Sequence, residues 1–231
     1  MGRPSSGYRV GGEKVPGTTT ITGRFMESGG LVWWAFRQGQ QDPDASSPYA
    51  ARDEAAKVGT IVHEMVEAHL RGEDPESVEA REGASGEVLE QADTAFGGFL
   101  DWWQMQSVEP VLMEVPLTST THRFGGTPDL WARTPHGLEL WDWKSSKSLY
   151  TGHLLQAAAY RHLHDVNRGG QGQDGTDIPD EPVVASNIVV FKKDTGDFAH
   201  KRFRDLSEEW EQFAALRRCY DRDKSISKRA G

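Results

Sequence analysis

Val58, Val62, Met65 and Val66 recur at the spacing of one helical face and predict a helix from near Arg52 to about Leu70. A second helix is predicted over about Gln91 to Gln106, with Phe96, Phe99, Leu100 and Trp103 turned inward. The period then falls to two. Val111, Met113, Val115 and Leu117 alternate with other residues and predict a first strand. A second strand is expected over roughly Arg123 to Arg133, and Thr134-Pro135-His136-Gly137 is a turn signal. A third strand runs from Leu138 to about Lys144, so the three form an antiparallel meander. A helix from about Gly152 to Val166 follows, then a polar loop over 168–182. Strands are expected over Ala185 to Phe191 and Asp197 to Arg204, joined by a Thr195-Gly196 turn. Ser207 is read as the cap of a last helix, with Glu208 and Glu209 in its first turn. This order predicts an α/β fold with a central mixed β-sheet flanked by helices.

With 231 residues, one compact domain is the expectation. Residues 1–50 are rich in Gly, Ser and Pro, with an apolar island at Leu31 to Phe36, and read as an N-terminal extension packing on the core. Residues 51–222 form the main domain and 223–231 a C-terminal tail. The acidic stretch over 72–90 reads as a loop or a solvated helix start. No run approaches the ~18 apolar residues of a membrane span, and MGRPSSGYRV lacks the apolar middle of a signal peptide. A cytoplasmic protein is expected. The single cysteine, Cys219, excludes an internal disulfide and cannot hold zinc or an iron–sulfur cluster alone. Its apolar-periodic surroundings predict a buried thiol. The net charge of -9 repels nucleic acid in bulk, but carboxylates that gather a divalent cation change sign locally when the ion arrives.

The third strand carries the most chemistry. Leu138, Leu140, Asp142 and Lys144 share one face, and Glu139, Trp141 and Trp143 the other. Asp142 and Lys144 thus continue an apolar face, where charge is costly unless it is paired or binds a metal. Taken alone, the pair is better described as a strand running out into solvent, with an ordinary surface Asp and Lys. The second strand tips the balance. It contains Gly125-Gly126-Thr127-Pro128-Asp129, in which Pro128 removes a ladder donor and marks a bend. A short hairpin places Asp129 beside Asp142, and two converging carboxylates suit magnesium or manganese.

Pro128-Asp129 followed by Asp142-Trp143-Lys144 resembles the signature of the PD-(D/E)XK nuclease superfamily. Three further stretches, in the same order, resemble its RecB-like branch. They are Gly59-Thr60-Ile61-Val62-His63, Gly126-Thr127-Pro128-Asp129, and Gln156-Ala157-Ala158-Ala159-Tyr160. The likeness covers roughly Val58 to Tyr160, and Val15 to Phe36 also looks like the opening of phage-encoded members.

The resemblance implies a restriction-endonuclease-like core and metal-dependent hydrolysis of DNA by an exonuclease, in phage or bacterial recombination, repair or replication. It implies Asp129, Asp142 and Lys144 as the catalytic set. Asp129, Asp142 and the carbonyl of Trp143 would hold one or two Mg2+ or Mn2+ ions, and Lys144 would orient or deprotonate the attacking water. It adds His63 as a metal ligand; without it, His63 is a histidine at the edge of an apolar helical face. Glu114 is a further implied ligand, although alternation puts it opposite Met113 and Val115 and possibly in solvent. Gln156 and Tyr160 share a helix face and are implied to contact substrate; a core-rim pair is the competing description. Lys147 and Arg161 stand near the motifs as phosphate contacts or as plain surface charges. Trp33-Trp34 and Trp102-Trp103 either stack on bases or fill core.

Iron–sulfur members of this branch use four cysteines, so no cluster is expected here. No phosphate-binding loop of a helicase is found in the sequence. The partners implied are DNA, with a second copy of the chain or a recombination protein as further candidates. Two other functions fit the same residues: a structure-specific endonuclease and a non-catalytic DNA-binding module.

Overall fold

The computed structural model describes residues 4–26, 37, 40, 50–146 and 148–230. The island over 31–36, with Trp33 and Trp34, and Lys147 lie outside the described residues.

A hairpin of β1 (Arg9–Val10) and β2 (Glu13–Lys14) leads through an extended Val15–Gly17 into α1 (Thr18–Phe25). Helices α2 (Ala50–Arg71) and α3 (Gly86–Trp103) follow, with two short 3-10 turns between them. The strands are β3 (Glu109–Met113), β4 (Leu117–Ser119), β5 (Phe124–Gly126), β6 (Leu130–Thr134) and β7 (Gly137–Lys144). Then come α4 (Thr151–Asn167), β8 (Val183–Phe191), β9 (Phe198–Phe203) and α5 (Ser207–Ala230).

The fold is α/β, with a five-stranded mixed sheet in the order β3-β6-β7-β8-β9 flanked by helices. The β3-β6-β7 part is the expected antiparallel meander, and α4 crosses over to make β8 parallel to β7. One sheet face, with Trp141, Trp143, Val189 and Phe191, packs on α2 and α3 through Val58, Val62, Met65, Phe99 and Trp102. The other, with Trp131, Leu138 and Leu140, packs on α4 and α5 through Leu155, Leu163 and Phe213. Period-two alternation along β7 therefore sorts its side chains between two cores. Both faces are buried, which excludes the solvated strand end as the setting of Asp142.

Several expectations are corrected. The first strand is two: β3 ends at Met113, and β4 pairs with β5 in a separate small sheet. The second is also two, because Thr127-Pro128-Asp129 interrupts it. On α3, Phe96 and Phe99 are buried as expected and Leu100 and Trp103 are partly buried against the same cluster, while Trp102, which was not expected there, is fully buried. Ser207 is the first residue of its helix and gives its N–H to the Asp205 carboxylate, 2.9 Å, which therefore does the capping. The helix continues to Ala230, leaving Cys219 exposed on its outer face. Among the described residues no helix is long and apolar enough to cross a membrane.

Glu139, fully buried near the start of β7, receives Arg202 Nη2 at 2.6 Å, Asn187 Nδ2 at 2.7 Å and Thr134 Oγ1 at 3.0 Å. Burial pushes its pKa up, but these donors hold it below the usual carboxylate value. Four strands, β6 to β9, are thereby tied across the sheet. Arg202→Ala is expected to cost about 3 kcal/mol, read as a Tm lower by roughly 6–12 °C. An unchanged melting curve would show that the pair does not hold the sheet.

Candidate metal centre

The sheet register alone gathers three carboxylates. Leu130 pairs with Trp141, so Asp129, the residue before it, comes level with Asp142. Met113 pairs with Leu130, so Glu114 comes level with Asp129 from the other side, and the Glu114 N–H donates to the Asp129 carbonyl, 3.2 Å. Glu114, Asp129 and Asp142 thus line one end of three adjacent strands. Simple alternation fails for Glu114 for two reasons. β3 shifts register between Pro110 and Leu112, and Glu114 itself adopts a left-handed backbone, φ 55°. That conformation costs a non-glycine residue about 1 kcal/mol or more and concentrates at functional positions.

The fourth group comes from α2. A Cβ on Gly59 would lie 2.8 Å from Ser145 Oγ, so glycine lets the helix press against the chain leaving β7. One turn later His63 reaches the carboxylates, its Nδ1 3.8 Å from Asp129 Oδ1. Ligand atoms of His63, Glu114 and Asp129 lie within 4.8 Å of one another, and could hold an ion.

Asp142 stands beside this trio rather than in it. Its Oδ2 lies 2.5 Å from Lys144 Nζ. Its Oδ1 is buried and has no hydrogen-bond partner among the described residues. The Trp143 N–H donates to Asp129 Oδ2, 2.7 Å, so the strand backbone orients the second carboxylate.

Such crowding disfavours charge. Burial, and then Asp129, push Asp142 up to about 6 against the pull of Lys144. Asp129 and Glu114 are likewise raised, by burial first, with Asp129 adding to the rise at Glu114. Burial and the Lys144 ammonium lower His63 to about 4, leaving a neutral imidazole free to ligate. Carboxyls pushed upward in this way beside a neutral histidine form a site whose crowding a bound cation would relieve.

On α4, Gln156 Nε2 donates to Tyr160 Oη, 2.7 Å, and both are buried. Asp142 and Asp129 raise the Tyr160 phenol further after burial, so it lies within electrostatic reach of the carboxylates. The expected pairing of Gln156 and Tyr160 on one face is found. Arg161, in contrast, gives Nη1 to the Arg204 carbonyl, 2.6 Å, and ties α4 to the end of β9.

Sequence reading missed Glu67. It lies four residues after His63 on α2, is buried, and pairs with Arg71 at 2.5 Å. Its charge reaches His63, Glu114 and Asp129. The i,i+4 spacing to His63 was the available signal.

No family model matches the chain, and no curated protein matches it. Among solved structures, one described as the crystal structure of SSO0001 is similar at 13% identity and a TM-score of 0.34, over 83% of this chain and 85% of that one.

Proposed function

We propose that the protein is a metal-dependent deoxyribonuclease of the PD-(D/E)XK type, most simply an exonuclease. The observation that carries this reading is the lining up of Glu114, Asp129 and Asp142 at adjacent strand ends, with His63 and Lys144 against them. The unpartnered, buried Asp142 Oδ1 supports a site built for a cation. The donor set is mostly hard oxygen with one imidazole, which suits magnesium or manganese.

His63, Glu114 and Asp129, with Asp142 beside them, would hold the ion. Bound there, it would lower the pKa of water and neutralise phosphate charge. Lys144, already against Asp142, would turn to the attacking water or to the negative charge developing on phosphate. Gln156 and Tyr160, on the helix bordering the carboxylates, would face the substrate. A non-catalytic DNA-binding module would have no use for mutually repelling buried acids.

End-labelled linear duplex, linear single strand and closed circular DNA, each with magnesium, manganese or EDTA, test the reading. The expected outcome is metal-dependent loss of linear substrate with circles intact. Cutting of circles would make the protein an endonuclease with the same centre. DNA binding without any cleavage would overturn the enzyme reading.

A further inference from the structure

The loop that delivers Asp129 is held from outside by the first residues of the chain. Gly125 N–H donates to the Pro16 carbonyl, 3.0 Å, and Thr18 Oγ1 donates to the Gly125 carbonyl, 3.0 Å. Gly17 forms a parallel bridge with Gly125. Over these contacts lies Tyr8. Its ring covers Gly125 so closely that a Cβ there would meet the Tyr8 Cγ at 2.3 Å. Its hydroxyl hydrogen-bonds Thr127 Oγ1 at 2.9 Å, in a buried contact. From the opposite side Tyr160 closes on Gly126, where an added Cβ would meet Cε1 at 2.6 Å. Arg217 of α5 adds two bonds to the Arg123 carbonyl, 2.7 and 3.0 Å, one step earlier in the same stretch.

Residues 123–127 thus have little freedom on either side. Only Pro128, whose φ is fixed, separates Thr127 from Asp129. A displacement of the Thr127 side chain therefore passes to the Asp129 carboxylate with few torsions to absorb it. Pairing with Trp141 fixes Leu130 after Asp129, so Asp129 is held between the paired strand and the anchored Thr127.

We propose that Tyr8 is a positioning residue of the metal centre: its hydroxyl, acting through Thr127, sets where Asp129 presents its oxygens. The inference rests on the metal-centre reading above. It makes the β1–β2 hairpin a working part of the centre rather than an appended extension. A tyrosine that only filled the small cluster with Val10 and Val15 would need its ring and not its hydroxyl.

The test uses the full chain and manganese alone, titrated calorimetrically and by the signal of free Mn2+ in electron paramagnetic resonance. Tyr8→Phe keeps the ring on Gly125 and deletes only the hydroxyl; Thr127→Val removes the same bond from its other end. Each is expected to weaken Mn2+ binding roughly tenfold, the scale at which a residue supporting a ligand acts. The double variant is expected to be no weaker than the worse single, because both delete one interaction. Melting in EDTA should fall by only roughly 2–4 °C, one hydrogen bond's worth. Turnover should recover at high manganese. Mn2+ affinity of Tyr8→Phe equal to wild type would overturn the proposal and leave the metal centre standing. Wild-type protein that binds no Mn2+ would overturn both.

Discussion

Under the proposed nuclease function, Asp142→Asn is expected to cut metal-dependent DNA cleavage by roughly 10²–10³-fold, and Lys144→Met to do the same for a different reason. Asp142 is a buried acid with one oxygen against Lys144 and one without a hydrogen-bond partner among the described residues. Its amide analogue fills the same space but brings no negative charge to a cation. Metal affinity should therefore fall together with rate. Lys144 is the cation already present, and methionine keeps most of its stem while deleting the ammonium. The acids then face one another with less compensation, which makes the site more attractive to a divalent ion. Mn2+ binding should be preserved or tightened in Lys144→Met, while cleavage at saturating metal is lost. The pair of variants separates holding the ion from using it. Cleavage near wild-type level in either one would remove that residue from the centre.

The chain announces the centre unevenly. Asp129, Asp142 and Lys144 are legible because strand alternation and a short hairpin are local rules, and β6 and β7 obey them in register. The central mixed sheet is legible for the same reason: α4 between β7 and β8 leaves a parallel pairing as the natural outcome. Glu114 is only half legible. A register shift and a left-handed φ decide its direction, and neither leaves a mark in the apolar pattern around it. The length predicted for the first strand failed at this point, since alternation runs on through Val115 and Leu117 while the backbone has turned away into a second sheet. The Tyr8 contact with Thr127 spans 119 positions, and the Arg202 contact with Glu139 spans 63. No periodicity reports contacts of that range. Cys219 was misread because it falls on the outer face of α5, while its neighbours Arg217 and Tyr220 are buried on the inner one.

In EDTA, Asp142→Asn should be more stable than wild type, and the gap should open with pH. The folded state raises Asp142 to about 6, while the unfolded chain titrates near the ordinary 3.8. Between these values the folded protein keeps a proton that the unfolded chain has released. Its contribution to stability is therefore whole below about pH 4 and is lost as pH rises through 6. The shift amounts to about 3 kcal/mol, or roughly 6–12 °C in Tm for a chain of this size. Asparagine escapes the loss, so the two proteins should melt together near pH 4 and diverge by pH 7.5. His63 works in the opposite direction. Its depressed value makes the folded state gain stability as pH rises from 4 past 6.5, but it is present in both proteins and largely cancels in the difference. Added Mn2+ should reverse the order, since an ion bound only by the folded wild type stabilises it by mass action and the variant has less to offer it. Melting curves that stay parallel from pH 4 to 7.5 would mean that Asp142 carries no strained charge in the folded protein. The acid would then be held by Lys144 alone, and the inference that the fold stores repulsion for a cation to relieve would fail with it.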